Sequence, residues 1–280
     1  MIYLILAIIS SSSLALILKQ GNVKNSNKIL LINANYITAS LLSLLFIFYK
    51  GSFTISLWAL LFAILLGYIF AETFLIYSKA VGLAGTALAT VSARLSVLIP
   101  VILSIIIYNE SPDVKMLIGF ILTLITFYLF YLSLKKKNVN DKSSNAYLIL
   151  ILLFLGIGLV DFSMKIFERN FPVEEKATFV FLIFFSAFIY TLFRILYKKI
   201  RFERETFKLG LLLGLPNVLA IHFILAALSQ LPAIVVFPIQ NIGVILFTAI
   251  MAYIIWKEKI NNYGIAAIVV GIISIILLKL

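Results

Sequence analysis

Apolar runs of about 20 residues, the length that crosses a bilayer core, recur at roughly 2–18, 29–49, 55–79, 86–107, 114–134, 146–167, 178–197, 207–229, 233–255 and 262–280. The polar links between them are short. In lipid every backbone amide must be satisfied within its own segment, so helices are the only reasonable form for such runs. The pattern predicts an all-α polytopic membrane protein with ten transmembrane helices and no separate extramembrane domain. The first run has no basic leader region and no A-x-A cleavage pattern, which reads as a retained helix and not a removed signal peptide.

Several polar residues interrupt these runs. Glu72 lies about eleven residues before the small-residue turn Gly82-Leu83-Ala84-Gly85, and Arg94 lies about eleven after its midpoint. If the third and fourth runs pair antiparallel, the acid and the base sit at one depth, roughly 16 Å from the turn at 1.5 Å per residue. A charge in hydrocarbon costs several kcal/mol unless partnered or hydrated, so it marks a functional site by default. The alternative is a permanent Glu72–Arg94 pair that sets helix register. Tyr68, one turn before Glu72, shares its face.

Further along, His222 and Gln240, with Asn241 beside it, lie about nine residues either side of Leu231. The eighth and ninth runs therefore repeat the arrangement, and Pro232 and Pro238 make the ninth irregular. Packing remains the bland reading of a helical histidine. Asn33 and Tyr36 share a face of the second run and suit either an interhelical hydrogen bond or a cavity rim. Residues 10–13, all serine, pack closely or line a polar path. Asp161 and Lys165, four apart, are expected to neutralise one another. Gly210-x-x-x-Gly214 is a close-packing spacing, Phe171–Glu175 reads as a surface link, and the phenylalanine-rich seventh run reads as lipid-facing. Pro100 is expected to kink the fourth run.

The connector at 135–145 falls near the midpoint of the chain. Ile106-Ile107-Tyr108-Asn109-Glu110-Ser111 matches Ile254-Ile255-Trp256-Lys257-Glu258-Lys259, and a glycine-bearing run follows each, with Gly119 in one and Gly264 and Gly271 in the other. This predicts two five-helix repeats, 1–137 and 146–280, joined by 138–145. Because five is odd, the second repeat is inverted, and a site is expected at the midplane between the halves.

Composition agrees: 63% of residues are hydrophobic and 12% charged, about half the charge fraction of a soluble domain. There is no cysteine and one histidine, which excludes disulfides, thiolate sites and His-cluster metal centres. No cofactor, metal or enzymatic activity is expected. The net charge of +12 lies in the links, where it serves anionic lipid and topology and not nucleic acid. About 16 of the 23 Lys and Arg flank the odd-numbered links and about 6 the others, so the positive-inside rule puts both termini outside the cytoplasmic membrane.

The ten runs, the two halves and the Glu-then-Gly endings at Glu110/Gly119 and Glu258/Gly264/Gly271 together resemble the drug/metabolite transporter superfamily, EamA type. The resemblance spans the chain but its motifs are loose. It implies a central pathway framed by the third, fourth, eighth and ninth helices, and a cargo of amino acids, other small metabolites or drugs. It thus implies that Glu72, Arg94, His222, Gln240 and Asn241 lie on that pathway; their individual selection rests on matched depth. Many relatives keep both termini in the cytoplasm, from which the charge count here departs.

The expected activity is secondary transport of a small polar metabolite, such as an amino acid, by alternating access around a central pocket bearing Glu72, Arg94, His222, Gln240, Asn241, Asn33 and Tyr68. Glu72 is a candidate carrier of a coupling proton, although burial and Arg94 act on it in opposite senses, so no coupling is assigned. The alternative is a flippase or carrier of a lipid-linked substrate, which needs only a polar groove and a basic rim.

Overall fold

The computed structural model describes residues 1–23, 26–50, 53–84, 86–134, 144–256 and 261–279. These residues form eleven α-helices: α1 (Ile2–Val23), α2 (Lys28–Lys50), α3 (Leu57–Ala84), α4 (Thr86–Leu95), α5 (Leu98–Tyr108), α6 (Val114–Leu134), α7 (Ser144–Asn170), α8 (Lys176–Tyr197), α9 (Arg204–Leu228), α10 (Ala233–Trp256) and α11 (Asn262–Lys279). One 3-10 turn, Val173–Glu175, leads into α8, and no strand occurs among the described residues. Gly85, most of the expected connector, and the motif positions Lys257, Glu258 and Lys259 lie outside them.

Seven described stretches are long and apolar enough to cross a membrane: Lys28–Tyr49, Leu57–Val81, Val114–Ser133, Ala146–Asn170, Val173–Tyr197, Arg204–Leu228 and Ala233–Met251. Three shorter apolar helical stretches accompany them, Ile2–Ile17, Ser92–Tyr108 and Asn262–Leu278. The fourth run is not one kinked helix but two, α4 and α5, parted at Ser96 and Val97. Pro100 explains the break. It has no N–H to give the Ser96 carbonyl, its ring crowds the turn before it, and that carbonyl accepts from the Ile99 N–H at 2.9 Å instead.

Lipid tails are as apolar as leucine, so helices in a bilayer associate where small residues let backbones approach. Gly210 and Gly214 of α9 lie against α2: a Cβ at Gly210 would sit 2.3 Å from the Leu31 carbonyl oxygen, and one at Gly214 2.5 Å from Thr38 Cβ. Gly67 of α3 meets α8 similarly, its Cβ position lying 2.5 Å from the Ile183 carbonyl oxygen. Helix α11 packs on α6, where Thr123 and Ser274 share a 2.9 Å hydroxyl contact and the Ser274 hydroxyl donates to the Gly119 carbonyl at 2.7 Å. Helix α1 packs on α9 and α10, and α7 on α3, α4 and α5.

Two expectations are corrected. Helix α8 is not simply lipid-facing, since Phe179, Val180, Ile183, Phe184 and Ala187 are fully buried. Phe179 stacks on Phe167 of α7 with centroids 4.0 Å apart, and Phe184 sits edge-on to Phe70 of α3. Glu175 in the link before α8 is also buried; its carboxylate accepts from the Ser56 N–H at 3.1 Å and the Ser56 hydroxyl at 3.0 Å, closing the start of α3.

Candidate functional site

The break before Pro100 places Arg94 in the last turn of α4, where unsatisfied carbonyls favour a cation. Its Nη1 donates to Asn241 Oδ1 of α10 at 2.9 Å. The Asn241 amide donates to the Phe237 carbonyl one turn earlier at 3.0 Å, which holds its oxygen toward the guanidinium. Asp161 of α7 and Tyr77 of α3 lie near enough for the ionised form of either to act on Arg94. Thr90, Phe127, Phe130 and Ile245 close around the guanidinium and leave no space for a water molecule beside it. Arg94 Nε is buried and has no hydrogen-bond partner among the described residues. A guanidinium has five N–H donors, so this one keeps capacity for an anionic oxygen. Such a charge-assisted, fork-shaped contact is the strong kind.

Residues of five helices, α3, α4, α6, α7 and α10, thus surround Arg94. Asn241 was expected there; Asp161 and Tyr77 were not. Asp161 does not neutralise Lys165 as expected, because the Lys165 ammonium is engaged elsewhere, 3.1 Å from Glu110 Oε1 and 3.1 Å from Glu168 Oε2. The signal in the sequence was the intramembrane carboxylate itself, hidden by a ready partner one turn away. Tyr77 carried no sequence signal.

The alternative, a Glu72–Arg94 pair that sets helix register, is not formed, because Glu72 is held elsewhere. Glu72 accepts from the Tyr190 hydroxyl and from Arg194 of α8. Matched depth says nothing about azimuth. Along α3, Thr73 faces Gly156 of α7, and Tyr77, one turn on, shares that face. Tyr68 and Glu72 lie one residue earlier in each turn, about 100° around the helix, and face α8. There Tyr68 stands edge-on to Tyr190 with centroids 4.9 Å apart, and Arg194 lies over the Tyr190 ring at 5.7 Å. The Glu72 and Arg194 side chains remain 25% and 22% exposed.

The other predicted positions fall in separate places. Asn33 is buried, and its amide donates to Thr191 Oγ1 at 3.0 Å and the Phe188 carbonyl at 3.2 Å, an interhelical bond between α2 and α8. Gln240 of α10 reaches Ser11 of α1 at 3.4 Å. His222 of α9 lies against Phe46 of α2, ring centroids 4.9 Å apart. Of the seven predicted residues, the structure brings Arg94 and Asn241 together in one cluster and Glu72 and Tyr68 in another.

Comparison with known proteins agrees with this architecture. The EamA-like transporter family model matches residues 144–280. An uncharacterized protein of Haemophilus influenzae is 27% identical over 215 residues, covering 75% of this chain and 72% of that protein. A crystal structure of a protein 16% identical in sequence superimposes with a TM-score of 0.82, covering 100% of this chain and 97% of its own, so the two share a fold. The second half of the chain, residues 144–280, is thus similar to the EamA-like transporter family.

Proposed function

We propose that the chain is a secondary transporter that moves a small polar metabolite bearing an anionic group, such as an amino acid, by alternating access of two inverted five-helix halves. The halves are 1–137 and 146–280, linked by 138–145, with ten membrane crossings and both termini outside the cytoplasmic membrane. Helix packing supports the duplication. Let α1, α2, α3, α4 with α5, and α6 correspond to α7, α8, α9, α10 and α11 respectively. The neighbours α2–α9 then exchange with α8–α3, α1–α9 with α7–α3, and α1–α10 with α7–α4 and α7–α5, while α2–α8 and α6–α11 map onto themselves.

The observation that carries the reading is Arg94, held by Asn241 from the other half, beside Asp161, with one buried N–H unused. An anionic substrate group would take the donors of Arg94, and a cationic group would face Asp161. A charged centre contributed by both halves suits a pocket that rocking exposes first to one side and then to the other.

The test is a thermal-shift screen of purified protein against amino acids, amines, sugars and nucleotides, with wild type, Arg94→Ala and Arg94→Lys. A ligand that raises the melting temperature of wild type and of neither variant supports the reading and names the substrate class. The reading fails if every stabilising ligand acts equally on Arg94→Ala, or if none acts and that substitution only lowers the melting temperature.

A further inference from the structure

We propose that Glu110 and Lys165 form a gate that closes one end of the bundle over the Arg94 centre and parts when that end opens; this rests on the transport reading above. Helix α5 ends at Tyr108, and Asn109 turns the chain with φ 52°, so that Glu110 leaves the helix axis. Both Glu110 carboxylate oxygens accept from the Ala233 N–H, at 3.0 and 2.9 Å, at the first residue of α10. Lys165, near the end of α7, lies 3.1 Å from the same carboxylate, with Glu168 on its other side. The Lys165 and Glu110 side chains are only 2% and 5% exposed.

The gate and the site are built on the same three stretches of chain. Asp161 lies one turn before Lys165 on α7, Asn241 two turns after Ala233 on α10, and Arg94 on α4 just across the break from α5. Val101 and Ser104 of α5 and Phe237 of α10, which lie along their helices between the two levels, are all buried. Movement of α10 or α7 that released Glu110 would therefore also move Asn241 or Asp161 against Arg94.

The chemistry favours a contact made and broken over a permanent staple. An apolar cluster of similar size would hold a closed end at least as well as a buried ion pair, whose attraction is offset by desolvation. Once water enters, however, the carboxylate, the ammonium and the helix N–H regain hydration. Opening then costs far less than exposing an equal apolar surface.

The chain has no cysteine, so a single Phe237→Cys reporter can be read directly in full-length protein, in right-side-out and inside-out vesicles, with a membrane-impermeant maleimide. With Glu110 and Lys165 intact, labelling is slow. Glu110→Gln keeps an oxygen for the Ala233 N–H, Lys165→Met keeps the buried stem, and each is expected to speed labelling at least ten-fold from the Glu110 end and not from the other. Unchanged rates in a folded variant overturn the gate. If one variant does not fold, as judged by its melting profile, the other decides; if neither folds, the network is a static staple and the gate is likewise overturned. Labelling needs no substrate, so its failure sinks the gate alone, whereas a negative Arg94 ligand screen sinks the transport site.

Discussion

Gly210→Ala should destabilise the protein while Gly271→Ala should not, although both add one methyl group to a helix. By helix propensity alone each replacement gains up to about 1 kcal/mol. What the new Cβ meets decides the sign. At Gly210 it would lie 2.3 Å from the Leu31 carbonyl oxygen and 2.6 Å from Ala34 Cβ, and a backbone carbonyl has no rotamer by which to withdraw. Helices α2 and α9 must separate by roughly 0.7 Å, an overpacking cost of about 1–3 kcal/mol before the propensity gain is subtracted. At Gly271 the nearest atoms are side-chain methyls, Ile242 Cγ2 at 3.0 Å and Thr126 Cγ2 at 3.2 Å, which can shift. A net loss of up to about 2 kcal/mol remains, which lowers the melting temperature by as much as roughly 4–8 °C in a chain of this size. Thermal unfolding in one fixed detergent, followed by intrinsic fluorescence, measures it. The packing of α9 on α2 is refuted if Gly210→Ala melts at or above wild type, or if Gly271→Ala falls as far.

Gly67→Ala should behave like Gly210→Ala, because its Cβ would meet the Ile183 carbonyl oxygen at 2.5 Å on α8; an unchanged melting temperature would contradict the α3–α8 contact. Asn241→Asp puts a carboxylate where the amide oxygen now accepts from Arg94 at 2.9 Å. It should occupy the guanidinium and weaken an anionic ligand found in the screen by at least ten-fold, roughly 1.4 kcal/mol, and isothermal titration showing equal affinity would refute this. Glu72→Gln removes the charge partner of Arg194 in a partly exposed pair, worth at most about 1 kcal/mol. It should lower the melting temperature slightly and leave ligand binding at Arg94 intact, so loss of binding with unchanged melting would reverse the assignment of the two clusters. Asn33→Ala removes the bond to Thr191 and should cost about 0.6 kcal/mol, the usual scale for a hydrogen bond between membrane helices; a loss of ligand response with no change in denaturant-unfolding midpoint would instead place Asn33 in the pathway.

Much of this protein is decided by the sequence alone. Apolar runs of bilayer length can only be helices, as the all-helical fold of the described residues bears out. Gly210 and Gly214 mark a close contact because small residues are where membrane helices approach, and Arg94 calls for a polar partner because its charge cannot lie unattended in hydrocarbon. Tertiary structure decided the partners. Depth along a helix follows from residue number, but the partner a polar side chain meets depends on rotation about the axis and on which helices are neighbours. Glu72 therefore finds Arg194, Lys165 finds Glu110, and Arg94 meets Asn241. For the same reason the buried face of α8 could not be read in advance: phenylalanine is equally at home against lipid and against another helix, so composition carries no record of the side on which the protein closes.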